Sequence, residues 1–294
     1  GLMNVFLVDG TYELFRHFFA VPRMLDLEGN EVGAVRGVIG SILSLLEEGV
    51  THIGVATDHV VESFRNELWE GYKTGEGIEP ELRGQFHPLE DALEALGVVV
   101  WKAIQYEADD ALASAAVRAA ADERVEQVFI CTPDKDLAQC VDGRRIVQFD
   151  RRSATVRDAE GVRAKFGVGP ESIPDYLALT GDSADGFPGV RGWGAKSAAT
   201  VLARYLHLED IPDDAAQWDL HVRGAERLAR ALRDSRDDAA LFRDLATLRT
   251  TLPVFDRVDT LRWNGPHPSF FDVCARINAS GYFRRTQALA EKLL

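Results

Sequence analysis

Val128-Phe-Ile-Cys-Thr-Pro-Asp-Lys-Asp-Leu-Ala-Gln139 decides the fold: four β-forming residues, Val128 to Cys131, run into a turn that carries Asp134 and Asp136. So short an apolar run, bounded by polar residues, reads as a buried strand. Acids just past its carboxyl end lie where open α/β sheets bind ligands. The pattern recurs upstream, with Asp9 after Val5 to Val8, Asp58 after the run His52 to Ala56, and Glu107 shortly after Val98 to Trp101. Ile146 to Phe149 is a fifth such run. Between the runs, Val35 to Glu48 keeps Ile39, Ile42, Leu43 and Leu46 on one helical face, and the alanine-rich Glu107 to Glu123 also reads as a helix. This alternation predicts an α/β layer with a mainly parallel central sheet flanked by helices. From Val162 onward the pattern is helical, with Ser172 to Thr180, Ala195 to Tyr205 and Ala225 to Leu248 as expected helices. The expected division is an α/β domain over 3–160 and a helical one over 161–294. Glu76 to Pro88, with weak periodicity and several glycines and prolines, is expected to be a long or mobile loop.

Composition narrows the class. The 294 residues are 46% hydrophobic, enough for a substantial core. Three cysteines, Cys131, Cys140 and Cys274, are an odd count without paired spacing; they exclude a disulfide framework and fit a reducing cytoplasm. No run of 18 apolar residues and no basic-then-apolar leader is present in the sequence, which speaks against membrane and secretory readings. Lys plus Arg number 33 against 47 Asp plus Glu, a net charge of −14. Taken alone, that sum argues against a nucleic-acid partner.

The placement of the acids changes that reading. Glu107, Asp109 and Asp110 open a helix, Asp134 and Asp136 sit in a strand-to-helix turn, and Asp182 and Asp185 lie in a glycine-rich turn after a helix. Acids that open a single helix merely cap it and complement its dipole. Acids at four strand ends of one sheet edge repel one another unless cations hold them. An oxygen-only donor set suits Mg²⁺ or Mn²⁺ rather than zinc. Two such ions roughly 3.5–4 Å apart can activate a water and stabilise the leaving oxygen in an in-line attack on a phosphodiester.

Five stretches carry a resemblance: Val8-Asp9-Gly10; Ser63-Phe64-Arg65 with Gly71-Tyr72-Lys73; Tyr106-Glu-Ala-Asp-Asp110; Asp134-Lys-Asp-Leu-Ala-Gln139; and Leu179-Thr-Gly-Asp-Ser-Ala-Asp-Gly-Phe-Pro-Gly-Val-Arg-Gly-Trp-Gly-Ala-Lys196. In this order they resemble the five-prime nuclease family, which includes the 5′-3′ exonuclease domain of bacterial DNA polymerase I and the flap endonucleases. The resemblance implies a PIN-like or resolvase-like sheet domain, a helical arch near 61–88, and a helix-hairpin-helix-type (H3TH) DNA-binding region. It implies that Asp9, Asp58, Glu107, Asp109, Asp110, Asp134, Asp136, Asp182 and Asp185 bind two Mg²⁺ or Mn²⁺ ions. It further implies that Arg65 and Lys73 lie beside the scissile phosphate, where cations stabilise charge on the phosphoryl oxygens, and that Tyr72 stacks on a base. Gly189, Gly192, Gly194 and Lys196 would form the turn that grips duplex phosphates, with a K⁺ ion there. Glycines let a backbone approach phosphates, and the following helix N-terminus favours negative charge. A Walker P-loop is excluded because Ala195 separates Gly194 from Lys196.

The sequence also departs from the family. Glu76 stands where an arginine is usual, and Val61 to Pro88 holds six acids against three bases. Ser183 and Gly186 replace the usual Glu and Asn, and Thr57 the usual aromatic before Asp58. None of these removes a metal-binding acid. The expected function is a structure-specific 5′ nuclease of DNA replication and repair, cytoplasmic and monomeric, acting on branched or nicked DNA with a 5′ flap. A PIN-like ribonuclease and a non-catalytic junction binder are the alternatives. A free-standing nuclease and an excised domain are both compatible with the sequence. Without the nine acids the net charge would fall from −14 to −5, and bound ions would reverse the local potential.

Overall fold

The computed structural model describes residues 1–293. Its strands are β1 (Met3–Asp9), β2 (His52–Asp58), β3 (Val99–Ala103), β4 (Val125–Cys131), β5 (Ile146–Asp150) and β6 (Thr155–Arg157). The helices, in chain order, are α1 (Gly10–Ala20), α2 (Gly33–Glu47), α3 (Phe64–Leu68), α4 (Pro80–Arg83), α5 (Phe86–Leu96), α6 (Ala108–Ala120), α7 (Ala159–Phe166), α8 (Ile173–Thr180), α9 (Ala195–Tyr205), α10 (Ala225–Asp234), α11 (Arg236–Ala246), α12 (Phe270–Arg276) and α13 (Ser280–Leu293). All five expected strands form. The chain makes two compact units: Gly1–Val61, Gly75–Thr132 and Thr250–Leu294 build the first, Glu62–Thr74 and Pro133–Arg249 the second.

In the first unit, strands β1 to β4 run parallel in the order β3-β2-β1-β4. Strand order grows outward from β1 to β3 and then reverses to place β4 on the other side of β1. That reversal is a topological switch point, and ligand crevices in open α/β sheets form there. In β2, residues His52 to Thr57 are all buried, as expected of a parallel strand covered on both faces. Helix α2 buries Val35, Val38, Ile39, Ile42, Leu43 and Leu46, and each such side chain contributes about 1.5–3 kcal/mol relative to exposure.

Two expectations are corrected in this unit. Glu76 to Pro88 is not a long loop: it holds α4 and the start of α5, with Leu82 and Phe86 buried. Gln85 is fully buried there; its Nε2 donates to Glu81 O and its Oε1 accepts from Val35 N. The last 45 residues, expected with the helical second half, belong to the first unit. Trp263 fixes them, its Nε1 donating to Leu96 O at 2.9 Å and its backbone N to Thr51 O at 2.8 Å.

The second unit is largely helical. Its core includes Leu177, Leu179, Phe187, Trp193, Val201, Leu202, Leu232, Phe242 and Leu245. Strands β5 and β6 pair antiparallel. The expected helix from Ala225 to Leu248 is instead two, because Ser235 leaves the helical region at φ −122°, ψ 20°. The segment Glu62–Thr74 packs into this unit through Trp69, whose ring meets Phe242 edge-on and whose Nε1 donates to Gly186 O at 2.9 Å.

Candidate metal centre and anion groove

In the first unit, the strand ends deliver their acids as expected. Asp9 closes β1 and caps α1, accepting from Tyr12 N at 3.0 Å. Asp58 closes β2; its Oδ1 accepts from Ala108 N at 2.8 Å, and its own N donates to Thr11 Oγ1 at 3.0 Å. Glu107 and Asp110 form a reciprocal capping box at the start of α6, with Glu107 N donating to Asp110 Oδ2 at 2.9 Å. The capping role and the burial coexist: Asp9 and Glu107 are 5% exposed and Asp110 is fully buried. Asp109, next to them, is half-buried. Such burial of a carboxylate costs free energy unless it is hydrogen-bonded or meets a cation.

The second unit holds a tighter group. Asp134 follows β4 in sequence and its Oδ1 accepts from Asp136 N at 2.9 Å, which opens a 3₁₀ turn, Lys135–Cys140. Gln148 Nε2 donates to Asp134 O at 2.8 Å. Gln139 locks the far end of the turn to α11, donating to Ala246 O and accepting from Leu248 N. The second pair of acids comes from a closed loop. Asp182 N donates to Phe187 O and Phe187 N to Asp182 O, while Asp185 N donates to Asp182 Oδ1 at 3.1 Å. Gly186 makes that loop possible: it has φ +90°, and a Cβ there would lie 2.0 Å from Gly71 O.

Asp136, Asp182 and Asp185 are all buried, and one carboxylate oxygen from each lies within 4.8 Å of the other two. Asp136 Oδ1 is a buried oxygen with no hydrogen-bond partner. Burial, then the charges of Asp134, Asp185 and Asp182, push the Asp136 carboxyl well above the usual carboxylate range. Two ammonium groups offset part of the repulsion: Lys73 Nζ lies 3.2 Å from Asp185 Oδ1, and Lys135 Nζ 3.5 Å from Asp182 Oδ2. Although its own partial burial opposes it, the charges of Asp182, Asp136 and Asp134 raise the Lys135 pKa. A cavity of about 380 Å³ opens onto these acids, lined also by Lys165 and Phe166. An unpartnered buried oxygen among three converging carboxylates is a donor set that fits a hard divalent cation.

Two predicted site residues have other surroundings. Arg65 is 1% exposed; its Nε donates to Leu245 O at 2.8 Å and its Nη2 to Thr247 O at 3.0 Å. Through these two bonds its guanidinium ties α3 to the end of α11. Tyr72 is 4% exposed within the hydrophobic core of the unit, so its ring is not presented for stacking on a base. Lys73 is half-exposed and lies beside Asp185.

The predicted phosphate turn forms one wall of a groove of about 1120 Å³ in the second unit. Gly189 and Gly192 have φ +77° and +84°. Gly194 caps α9, its N donating to Ser197 Oγ at 2.9 Å. A Cβ at Gly194 would meet nothing within 4 Å, so this backbone faces open space. Trp193 pins the turn, donating from Nε1 to Leu228 O at 3.0 Å. Lys196 and Arg191 line the groove together with Arg223, Arg227 and Arg230. Sequence reading missed these last three arginines. Their signal was the spacing of Arg227 and Arg230, which share one face of α10. Among the described residues no helix is long and apolar enough to cross a membrane.

Comparison with known proteins accords with this geometry. Residues 4–167 match the 5′-3′ exonuclease N-terminal resolvase-like domain, and residues 168–269 the 5′-3′ exonuclease C-terminal SAM fold. The chain is 37% identical over 265 residues to DNA polymerase I of Pseudomonas aeruginosa, covering 87% of this chain and 28% of that protein. It is 34% identical over 256 residues to the thermostable DNA polymerase I of Thermus aquaticus, covering 85% and 29%. The chain thus spans less than a third of the length of these polymerases. In fold it is similar to zinc-bound T5 5′-exonuclease, with a TM-score of 0.65 and 20% identity over 98% of both chains. It is also similar to the catalytic core of Rad2 in complex with DNA substrate, with a TM-score of 0.64 and 16% identity over 100% of this chain and 93% of that one.

Proposed function

The chain belongs to the 5′-3′ exonuclease family, and from that premise we propose that it is a structure-specific 5′ nuclease hydrolysing DNA phosphodiesters at flaps, nicks or gaps during replication and repair. The observation that carries the proposal is the buried group Asp136, Asp182 and Asp185 with its unpartnered Asp136 oxygen. In this reading two Mg²⁺ or Mn²⁺ ions are held by two sets of acids: Asp9, Asp58, Glu107, Asp109 and Asp110 from the first unit, and Asp134, Asp136, Asp182 and Asp185 from the second. When bound, such ions supply Lewis-acid stabilisation of the attacking and leaving oxygens. The products are a 5′-phosphate and a 3′-hydroxyl.

The side chains do the positioning. Lys73, 37% exposed at its side chain and paired with Asp185, turns toward the scissile phosphate once Asp185 is engaged by a cation. The groove holds duplex phosphates on the backbone of Gly189 to Gly194 and on Lys196, and a K⁺ ion at that turn belongs to the same reading. Interactions of this kind position a duplex and read no sequence. In this reading three cysteines without a disulfide suit a reducing cytoplasm, and the protein acts as a monomer. Incubation of the full chain with a 5′-flap duplex and Mn²⁺ tests the proposal, beside an Asp134→Ala variant. Flap cleavage by the parent and none by the variant is expected. Equal products from both, or none from either over a range of divalent metals, refute it.

A further inference from the structure

The first unit carries another group of metal-ligating side chains, which the nuclease reading does not use. His59 follows the end of β2, and His87 and Glu90 lie three apart on α5, where they share a face. His59 Nδ1 donates to Glu90 Oε1 at 2.7 Å, and Glu90 Oε2 accepts from Thr57 Oγ1 at 2.5 Å. The two imidazoles stack with centroids 4.0 Å apart and planes 10° from parallel. His87 Nε2 donates to His59 O at 3.0 Å. One ring nitrogen of each histidine and one Glu90 oxygen lie within 4.8 Å of one another.

We propose that His59, His87 and Glu90 form a binding site for a borderline transition-metal ion, Zn²⁺ in the first instance, with water as the fourth ligand. Two imidazoles and one carboxylate are a three-ligand set that zinc accepts at four-coordinate sites with an open position. The oxygen-only acids elsewhere suit harder ions, so the two classes of site separate by chemistry. Glu90 is 2% exposed, and its outer oxygen is held by Thr57, the kind of hydrogen bond that orients a ligating carboxylate. Ligation through His59 Nδ1 would leave that ring's proton on Nε2. Its link to Glu90 changes from a hydrogen bond to shared coordination. His87 is exposed, and turning out of the stack, with loss of its bond to His59 O, would bring a nitrogen to the ion. Thr57 and His59 flank Asp58, so an occupied site would brace the backbone on both sides of that acid.

The proposal does not depend on nuclease activity, and neither does its test. Co²⁺ is titrated into the Asp182→Ala chain and followed by visible absorption, with Zn²⁺ as competitor. Four-coordinate Co²⁺ with nitrogen ligands absorbs far more strongly than six-coordinate Co²⁺ in an oxygen site. One equivalent of strongly absorbing Co²⁺, displaced by Zn²⁺ but not by excess Mg²⁺, is expected. The band should vanish in the same chain carrying His87→Ala, a surface change whose folding is checked by its thermal melt. Thr57→Val should weaken Zn²⁺ binding by about 10–100-fold, the usual effect of losing an outer partner. No band in the parent, or a band that survives His87→Ala, overturns the proposal.

Discussion

Asp136 is the residue on which the proposed metal centre turns, because its Oδ1 is buried without a partner while three other carboxylates crowd it. A cation relieves that repulsion only in the folded chain, so divalent metal should stabilise folding by mass action, about 2.7 kcal/mol at a hundredfold excess over Kd. Thermal melts with EDTA, Mg²⁺ and Mn²⁺ should show a rise in Tm with metal, and Asp136→Asn should raise the metal-free Tm while shrinking that rise. A metal-induced shift of undiminished size in the variant would contradict this. Arg65 makes a second case, a buried cation whose Nε and Nη2 donate to Leu245 O and Thr247 O. Hydrogen bonds from a charged donor contribute about 1.5–3 kcal/mol each. Arg65→Ala should therefore lower unfolding free energy by about 3 kcal/mol in urea titrations, and Arg65→Lys, which lacks the planar fork, should recover little of it. A fully stable Arg65→Ala protein that is deficient only in cleavage would contradict this structural role.

Among elements, the pair α9 and α10 shows how much of an interface can hide behind a motif. The glycine turn before α9 was readable because Gly192 and Gly194 leave backbone exposed at a helix start. Arg223, Arg227 and Arg230 were not, since a charged helix face reads first as solvated surface, and only the Trp193 bond to Leu228 O shows α10 lying across from the turn. If these arginines meet phosphates, removing any one of them should reduce the slope of log K against log salt by about 0.9. Arg227→Ala and Arg230→Ala, measured on flap DNA across a range of salt concentrations, should each show that reduction at every flap sequence tested. Unchanged slopes would remove α10 from the DNA interface. The segment Glu76 to Pro88 defies its sequence for a related reason. Its prolines and glycines signal a loop locally, yet Leu82, Gln85 and Phe86 are drawn into the first unit by partners far away in sequence, Val35 among them.

At the scale of the whole molecule, the chain crosses between its units rather than dividing once. Residues 250–294 complete the unit that begins at the amino terminus, with Trp101 Nε1 donating to Val254 O and Leu252 N to Ser114 Oγ. Truncation after Arg249 should consequently unfold the α/β unit, seen as loss of a cooperative melt by circular dichroism. A truncated chain that melts cooperatively at the parent temperature would show that the carboxyl-terminal helices are dispensable. By itself, the sequence determined the five strands, the parallel class of the first four, the acids at strand ends and the glycine turn. Each depends on local periodicity or on a fixed chemical need. Only the tertiary structure decided that Arg65 and Tyr72 are buried, that Glu90 meets two histidines, and that the two ends of the chain share a core. Those outcomes depend on which distant surfaces exclude water from one another, and no short window of sequence carries that information.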